Sequence, residues 1–217
     1  MTRFAPVDGL HGVYIARLGK LNCVALRLRD DSLCLYSPVA GLETHLLEQV
    51  GELGRVSALL APNHYHNKGL AAHRSAFPGA SLHCTTAAKP RLTKITGLDF
   101  EPLDDLAPRL RAAQTLHEPP GLKTGEVWVE INAGADRALI VTDAFNAAAK
   151  AAGVFAEEAG LLGTFPNYGV KDATTYKSWA VTFLSERTPT MLLPCHGAPV
   201  RSASLATQLT TVLEDAF

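Results

Sequence analysis

The sequence predicts a layered α/β fold in which two β-sheets are covered by helices. Three observations carry this reading. Short apolar runs broken by turn residues open the chain, segments of helical periodicity then alternate with compact apolar runs, and that pattern partly recurs in the second half.

In the first half, residues 13–18, 23–28 and 33–36 read as strands, separated by Gly19, the Asp30-Asp31 pair and Pro38. Residues 42–50 carry Leu42, Leu46, Leu47 and Val50 at helical spacing, with Gly51 and Gly54 as stops. The run 56–61 reads as a buried strand ended by Pro62-Asn63. A helix is expected from about Gly69 to just before Pro78, then a strand at 81–84, then a helical stretch and a loop up to Pro108. In the second half, 110–116, 127–132 and 138–141 read as strands. The Ala-rich stretch 147–162 reads as a helix, although Gly153 and Gly160 weaken it. Asp172 caps a further helix to 184, 191–193 is a short strand, and 202–213 is the last helix. No linker or low-complexity segment divides the 217 residues, so one domain over 1–217 is expected.

Composition narrows the function classes. Hydrophobic residues make up 47% and charged residues 19%, the balance of an ordinary globular chain. A formal net charge of -1, with no run of Lys or Arg, argues against nucleic acid as a partner. Cys23, Cys34, Cys84 and Cys195 are scattered, without a Cys-x-x-Cys pair, so neither a zinc knuckle nor a disulfide framework is indicated. The first residues lack an apolar stretch and no uncharged segment is long enough to span a bilayer. A reduced, cytoplasmic protein without membrane or nucleic-acid partners, acting on a small molecule, is the expectation. A Gly-x-Ser-x-Gly elbow, a P-loop and a dinucleotide fingerprint are all missing.

The chemistry-bearing residues follow the expected strands. His64-Tyr65-His66 comes after the run 56–61, His117 after 110–116, Asp143 at the end of Ile140-Val141-Thr142-Asp143, and His196 after 191–195. Ligands gather at strand ends in layered α/β proteins. Histidines at i and i+2 share a side of an extended backbone, and imidazoles with a carboxylate form a usual zinc set. The plainer reading of His-x-His is a chance pair among eight histidines, which the strand-end company of Asp143 and His196 makes the weaker one. His11 and His45 read as surface residues, His73 as packing or solvent-facing, and His83 as core. Cys195 beside His196 invites a thiol nucleophile, but neighbouring strand residues point to opposite faces, and a buried structural thiol is the better reading. Trp128 and Trp179 read as core or pocket wall, and Phe145, Asn146 and Tyr168 as candidates to line a cleft.

Together these residues resemble the metallo-β-lactamase superfamily. Residues 62–69, Pro-Asn-His-Tyr-His-Asn-Lys-Gly, resemble its His-x-His-x-Asp-His signature. Thr142-Asp143 resembles its later bridging Asp, and Cys195-His196-Gly197 its final His ligand. Ala61-Pro62-Asn63, Gly125-Glu126-Val127-Trp128 and the stretch 140–146 resemble a little-characterised branch, over roughly residues 12–200. The resemblance implies an αββα sandwich and a metal-dependent hydrolase acting on an ester, amide or phosphoester-like small molecule. It implies His64, His66, His117, Asp143 and His196 as ligands of one divalent ion, zinc first, with iron or manganese as alternatives. Alignment on Gly125-Glu126 would set Leu122 in the place of His117. Where the signature has its second-metal Asp and His, this chain has Lys68 and Gly69. Two readings follow. Either Lys68 supplies a surrogate positive charge beside Asp143 in a one-metal hydrolase, or the protein is a degenerate binder without hydrolytic activity. Solvent exposure is the plainer fate of Lys68.

Overall fold

A computed structural model describes residues 2–217. The first sheet has the order β1 (Ala5–Pro6), β2 (Val13–Leu18), β3 (Leu21–Arg27), β4 (Leu33–Tyr36), β5 (Val56–Leu60) and β6 (Ser81–His83). It is antiparallel up to β4 and parallel from β4 to β6. Its outer face is covered by α1 (Leu42–Leu47), α2 (Val50–Leu53), α3 (Leu70–Ala76) and α4 (Lys89–Thr96). A short helix α5 (Leu103–Leu106) and a 3₁₀ turn lead to the second half.

There, β7 (Gln114–His117), β8 (Trp128–Ala133) and β9 (Asp136–Val141) form an antiparallel meander. A small hairpin of β10 (Asn146–Ala147) and β11 (Ala159–Gly160) follows, then α6 (Phe165–Gly169) and α7 (Ala173–Arg187). Strand β12 (Met191–Pro194) lies parallel to β9, β13 (Val200–Arg201) closes the edge, and α8 (Leu205–Ala216) ends the chain. The second sheet therefore has the order β13-β12-β9-β8-β7.

Strand alternation builds the layers. In β3, Cys23 and Ala25 face the helices of the first half while Val24 and Leu26 face the other sheet. In β9, Ala138 and Ile140 join that same inter-sheet core, whereas Leu139 and Val141 pack under the later helices. Successive side chains leave a strand on opposite faces, so strands apolar at every position fill two cores at once. Helix α7 buries Tyr176, Ala180, Phe183 and Leu184, and α8 buries Leu205, Leu209 and Leu213, both at helical spacing. The result is the helix–sheet–sheet–helix sandwich that the sequence predicts.

Two expectations fail locally. The Ala-rich stretch 147–162 is not a helix. Its backbone is spent on the C-terminal turn instead: Ala147 N–H donates to His196 O, Ala198 N–H to Ala148 O, and Ala156 N–H to Pro199 O. Helix propensity is a weak prior, and a Gly153 at φ +77 breaks the periodicity. The expected helix 42–50 is split at Glu48-Gln49, where the Gln49 side-chain amide holds the backbone N–H and carbonyl of Phe4.

His73 faces neither solvent nor the candidate site. It is fully buried, with Nδ1 2.9 Å from Gly69 O and 3.6 Å from Glu43. Burial first of all lowers its pKa below the ordinary 6.5, against the smaller opposing pull of Gly69 and Glu43. The unfolded chain then binds the proton more readily than the folded one, so stability is lost as pH falls below about 6.5. The thermal midpoint should drop between pH 7 and pH 5, and His73→Phe should shrink that drop in a scan across those pH values.

Candidate metal centre

β4 and β5 run parallel in one sheet and β9 and β12 in the other, and the side chains that follow their carboxyl ends meet at one edge of the sandwich. Each end delivers one side chain: Ser37, His66, Asp143 and His196 respectively.

After β5 the chain does not stay extended. The Asn63 side chain accepts the backbone N–H of Tyr65 at 2.8 Å and of His66 at 3.1 Å, winding the loop into a turn. The same side chain donates through Nδ2 to Asp143 Oδ2 at 2.8 Å. Asn67 fastens the loop by donating to His64 O at 2.7 Å. Beyond it, Gly69 packs so close that a Cβ there would lie 2.2 Å from Pro38 O, which draws the loop against the turn at Ser37.

Asp143 sits at the centre. Its Oδ1 accepts from His66 Nε2 at 3.1 Å and from His196 Nε2 at 3.0 Å, with the two rings edge to face at 5.3 Å. A carboxylate only accepts, so both imidazoles present a proton on Nε2, and Ser37 Oγ lies 2.8 Å from His66 Nδ1, a hydrogen bond that fixes the ring from its other nitrogen. Burial alone would favour the neutral acid. The hydrogen bonds from His196 and His66, the charge of His66 and the Asn63 amide outweigh it, and hold the Asp143 carboxyl well below its usual range.

His196 is placed by its flanks. Asn22 Nδ2 bonds both Pro194 O and Gly197 O at 2.7 Å, and Gly197 takes φ +97.

Beneath Asp143 lies Glu126, just ahead of β8 and 1% exposed. Its carboxylate accepts the backbone N–H groups of Thr142, Asp143 and Ala144 at 3.0, 3.2 and 3.3 Å, and the Trp128 indole N–H at 3.2 Å. Burial and the neighbouring Asp143 charge push Glu126 up to about 8, against the pull of the three amides. Tyr36 ties the sheets together here: its hydroxyl donates to Val127 O and accepts from Thr142 Oγ1, both at 2.7 Å.

Of the residues expected at the site, His66, Asp143 and His196 meet, with candidate ligand atoms all within 4.8 Å of one another. His64 does not join them. The turn set by Asn63 removes the i, i+2 alignment, and the buried His64 Nε2 has no hydrogen-bond partner among the described residues. Burial first, then Arg91, lower the pKa of His64, against an opposing pull from Asp143. His117 is a correction: it pairs with Glu130 at 2.9 Å and packs its ring on Phe183 of α7, on the helix side of the second sheet. Strand parity explains this, since its neighbour Leu116 takes the inward face. Lys68 is also corrected. It is exposed at the mouth and makes no ion pair with Asp143 among the described residues, so imidazoles and an amide fill the role expected of its ammonium. Cys195 is fully buried and its thiol is raised well above its ordinary range, foremost by burial, which leaves no thiol nucleophile there.

Sequence reasoning gave no role to Ser37, Asn63 or Glu126. The available signals were an Asn directly ahead of His-x-His, an Asx-turn former, and a lone acid opening an otherwise apolar strand.

No family model matches the sequence, and no curated protein matches it either. Solved structures do. A metallo-beta-lactamase from Erythrobacter litoralis, with beta mercaptoethanol in the active site, superposes with a TM-score of 0.67 at 14% identity, covering 98% of this chain and 96% of its own. One from Pontibacter korlensis gives 0.65 at 11%, covering 98% and 99%. One from Pseudomonas aeruginosa in the mono-zinc form gives 0.64 at 13%, covering 98% and 95%. This chain has the metallo-β-lactamase fold.

On this metallo-β-lactamase scaffold the site opens into a cleft of about 580 Å³. Leu21, Val39, Ala40 and Leu162 give it apolar walls, while His66, Asp143 and His196 form its polar floor. Tyr168 lines the same cleft, its ring edge to face with Tyr65 at 5.2 Å. Burial, then the charges of Asp143 and Glu126, raise its phenol further above the ordinary range, so it stays protonated at neutral pH. The three-residue donor set fits a divalent ion. Metal–ligand bonds of about 2.0–2.2 Å span donor separations of roughly 3–3.5 Å; the two separations from Asp143, 3.0 and 3.1 Å, match this, and the two imidazole nitrogens lie within 4.8 Å of each other. Three protein ligands would leave room for a water or substrate on a bound ion, as in catalytic rather than structural zinc sites.

Proposed function

We propose that the protein is a metal-dependent hydrolase of small molecules that uses one divalent ion held by His66, Asp143 and His196. The observation that carries this reading is the convergence of those three donors at the floor of an apolar-walled cleft. Zinc suits two imidazoles and a carboxylate, and iron or manganese are the alternatives. When bound, such an ion supplies Lewis acidity and acidifies water to a pKa of about 7.

The chain's own residues do the rest. Asp143 stays ionised across the neutral range, and Ser37 fixes the orientation of the His66 ring. Tyr168, protonated and beside Asp143, is placed to donate a proton to the oxygen of a leaving group or carbonyl. The apolar walls seat the body of an ester, amide or phosphoester-like substrate and keep bulk water away from it. No helix is long and apolar enough to cross a membrane. The four cysteines are free and buried, which supports a reducing, cytoplasmic setting.

Protein purified without a histidine tag should carry about one equivalent of metal. It should hydrolyse members of a panel of chromogenic esters and phosphodiesters, lose that activity to a chelator and regain it with zinc or manganese. A metal-bearing protein inert on every ester, amide and phosphoester offered would favour a second reading, binding without hydrolysis. One observation supports that alternative: His66, His196 and Asn63 already satisfy the Asp143 carboxylate by hydrogen bonds.

A further inference from the structure

Glu126 stands out as a carboxylate that neither the core nor the cleft requires. It is fully buried, makes no ion pair with a Lys, Arg or His among the described residues, and does not line the cleft. Burying a carboxyl group without an ion-pair partner is costly in either protonation state, and an apolar side chain of similar volume would fill the same space more cheaply. What the carboxylate does instead is gather three consecutive backbone N–H groups, those of Thr142, Asp143 and Ala144. Successive amides pointing inward form a concavity lined by donors, and here its acceptor is a carboxyl group of the chain itself.

Those three residues are the turn that carries Asp143 out of β9. Glu126 is itself held firmly. Gly125, at φ +65, abuts Thr85 and Ala88, Thr85 Oγ1 donates to Gly125 O at 3.0 Å, and Val127 N–H donates to Pro62 O at 2.8 Å. Pro62 directly precedes Asn63, the residue that sets the His66 turn and grips Asp143. One short stretch, 125–127, thus touches the bases of both loops that deliver the site.

We propose that Glu126 is a positioning residue: it clamps the Thr142–Ala144 turn so that the Asp143 carboxylate stands where His66 and His196 converge. It acts through the backbone of Asp143 and touches neither substrate nor ion. This rests on the metal-site reading above and extends it to the layer beneath the ligands.

The test uses the full chain and Glu126→Gln, a near-isosteric change. Gln Oε1 keeps the Thr142, Ala144 and Trp128 bonds, but its NH₂ faces the Asp143 N–H, donor against donor. Zinc affinity, read by competition with a chromogenic chelator, should weaken about 10–100-fold, as for other changes behind metal ligands. The thermal midpoint of the metal-free protein should hold, since the shape and three of the four hydrogen bonds are kept. A parallel loss of midpoint and affinity would reduce Glu126 to a packing role, and unchanged affinity would also overturn the proposal. Should Glu126→Gln fail to fold, Glu126→Asp, which keeps the carboxyl group but shortens its reach, replaces it under the same criteria. If the wild-type chain binds no ion, the metal reading fails on its own. The clamp is then read by NMR of the metal-free protein. Glu126→Gln should move the Nε2–H resonances of His66 and His196 and leave that of His117, paired with Glu130, in place. Unmoved His66 and His196 resonances would overturn it.

Discussion

Asp143→Ala is expected to weaken divalent-metal binding by more than about 100-fold, because even partners behind the ligands cost roughly 10–100-fold when removed. Asp143 is the one anionic donor among the three and the point at which both imidazoles meet. Without it, two imidazoles remain with no anionic donor, and Asn63 Nδ2 loses its acceptor. The folded state should lose about 1–3 kcal/mol through those unpaired groups, of which Asn63 and His66 are mostly buried. Asp143→Asn separates the two effects. It preserves shape and most hydrogen bonding but not the charge, so the metal-free protein should unfold near the wild-type temperature while its metal affinity stays low. Equal metal content in wild type and both variants, measured on tag-free protein, would contradict the assignment.

Gly197→Ala is expected to be the most damaging single methyl in the chain. Residue 197 has φ +97, and a Cβ there would stand 1.9 Å from Ala147 O and 2.7 Å from Ala147 C. The obstacle is backbone, so no rotamer change relieves it. Strain in this φ region and overpacking cost about 1–3 kcal/mol each, which together give roughly 2–6 kcal/mol. For a chain of this size the thermal midpoint should fall by about 4–24 °C. Gly163→Ala is the control: no atom lies within 4 Å of its hypothetical Cβ and its φ is not positive, so its midpoint should scarcely move. Because Gly197 follows His196 and shares the Asn22 amide with Pro194, any Gly197→Ala protein that still folds should also bind metal more weakly.

The architecture was legible because it is written in alternation. Strands such as β3, β4 and β9 are apolar at nearly every position, and only a sheet with a core on each face can use such residues. The strand-end placement of His66, Asp143 and His196 was legible for the same reason. What could not be read was which way each loop residue turns. An extended backbone would have presented His64 and His66 together, but the Asn63 side chain captures two amides and rotates one away. His117 lies one residue from the inward parity, and a period of two leaves no intermediate orientation. Lys68 took its expected role from alignment with a signature rather than from a contact, and the structure gives that role to imidazoles. The stretch 147–162 shows the limit of propensity: its alanines favour a helix, but pairing with 196–199 claims their backbone. Glu126 was invisible because its three partners are backbone amides, which leave no side-chain pattern to find.

The most direct test of this account is a crystal of the tag-free protein grown with zinc, with anomalous diffraction recorded on both sides of the zinc edge. The account predicts a single anomalous peak about 2.0–2.2 Å from Nε2 of His66, Nε2 of His196 and a carboxylate oxygen of Asp143, with His117 still on Glu130. A peak held by His64 or His117, or a metal-free cleft in which the His66–Asp143–His196 hydrogen bonds persist despite saturating zinc, would contradict it.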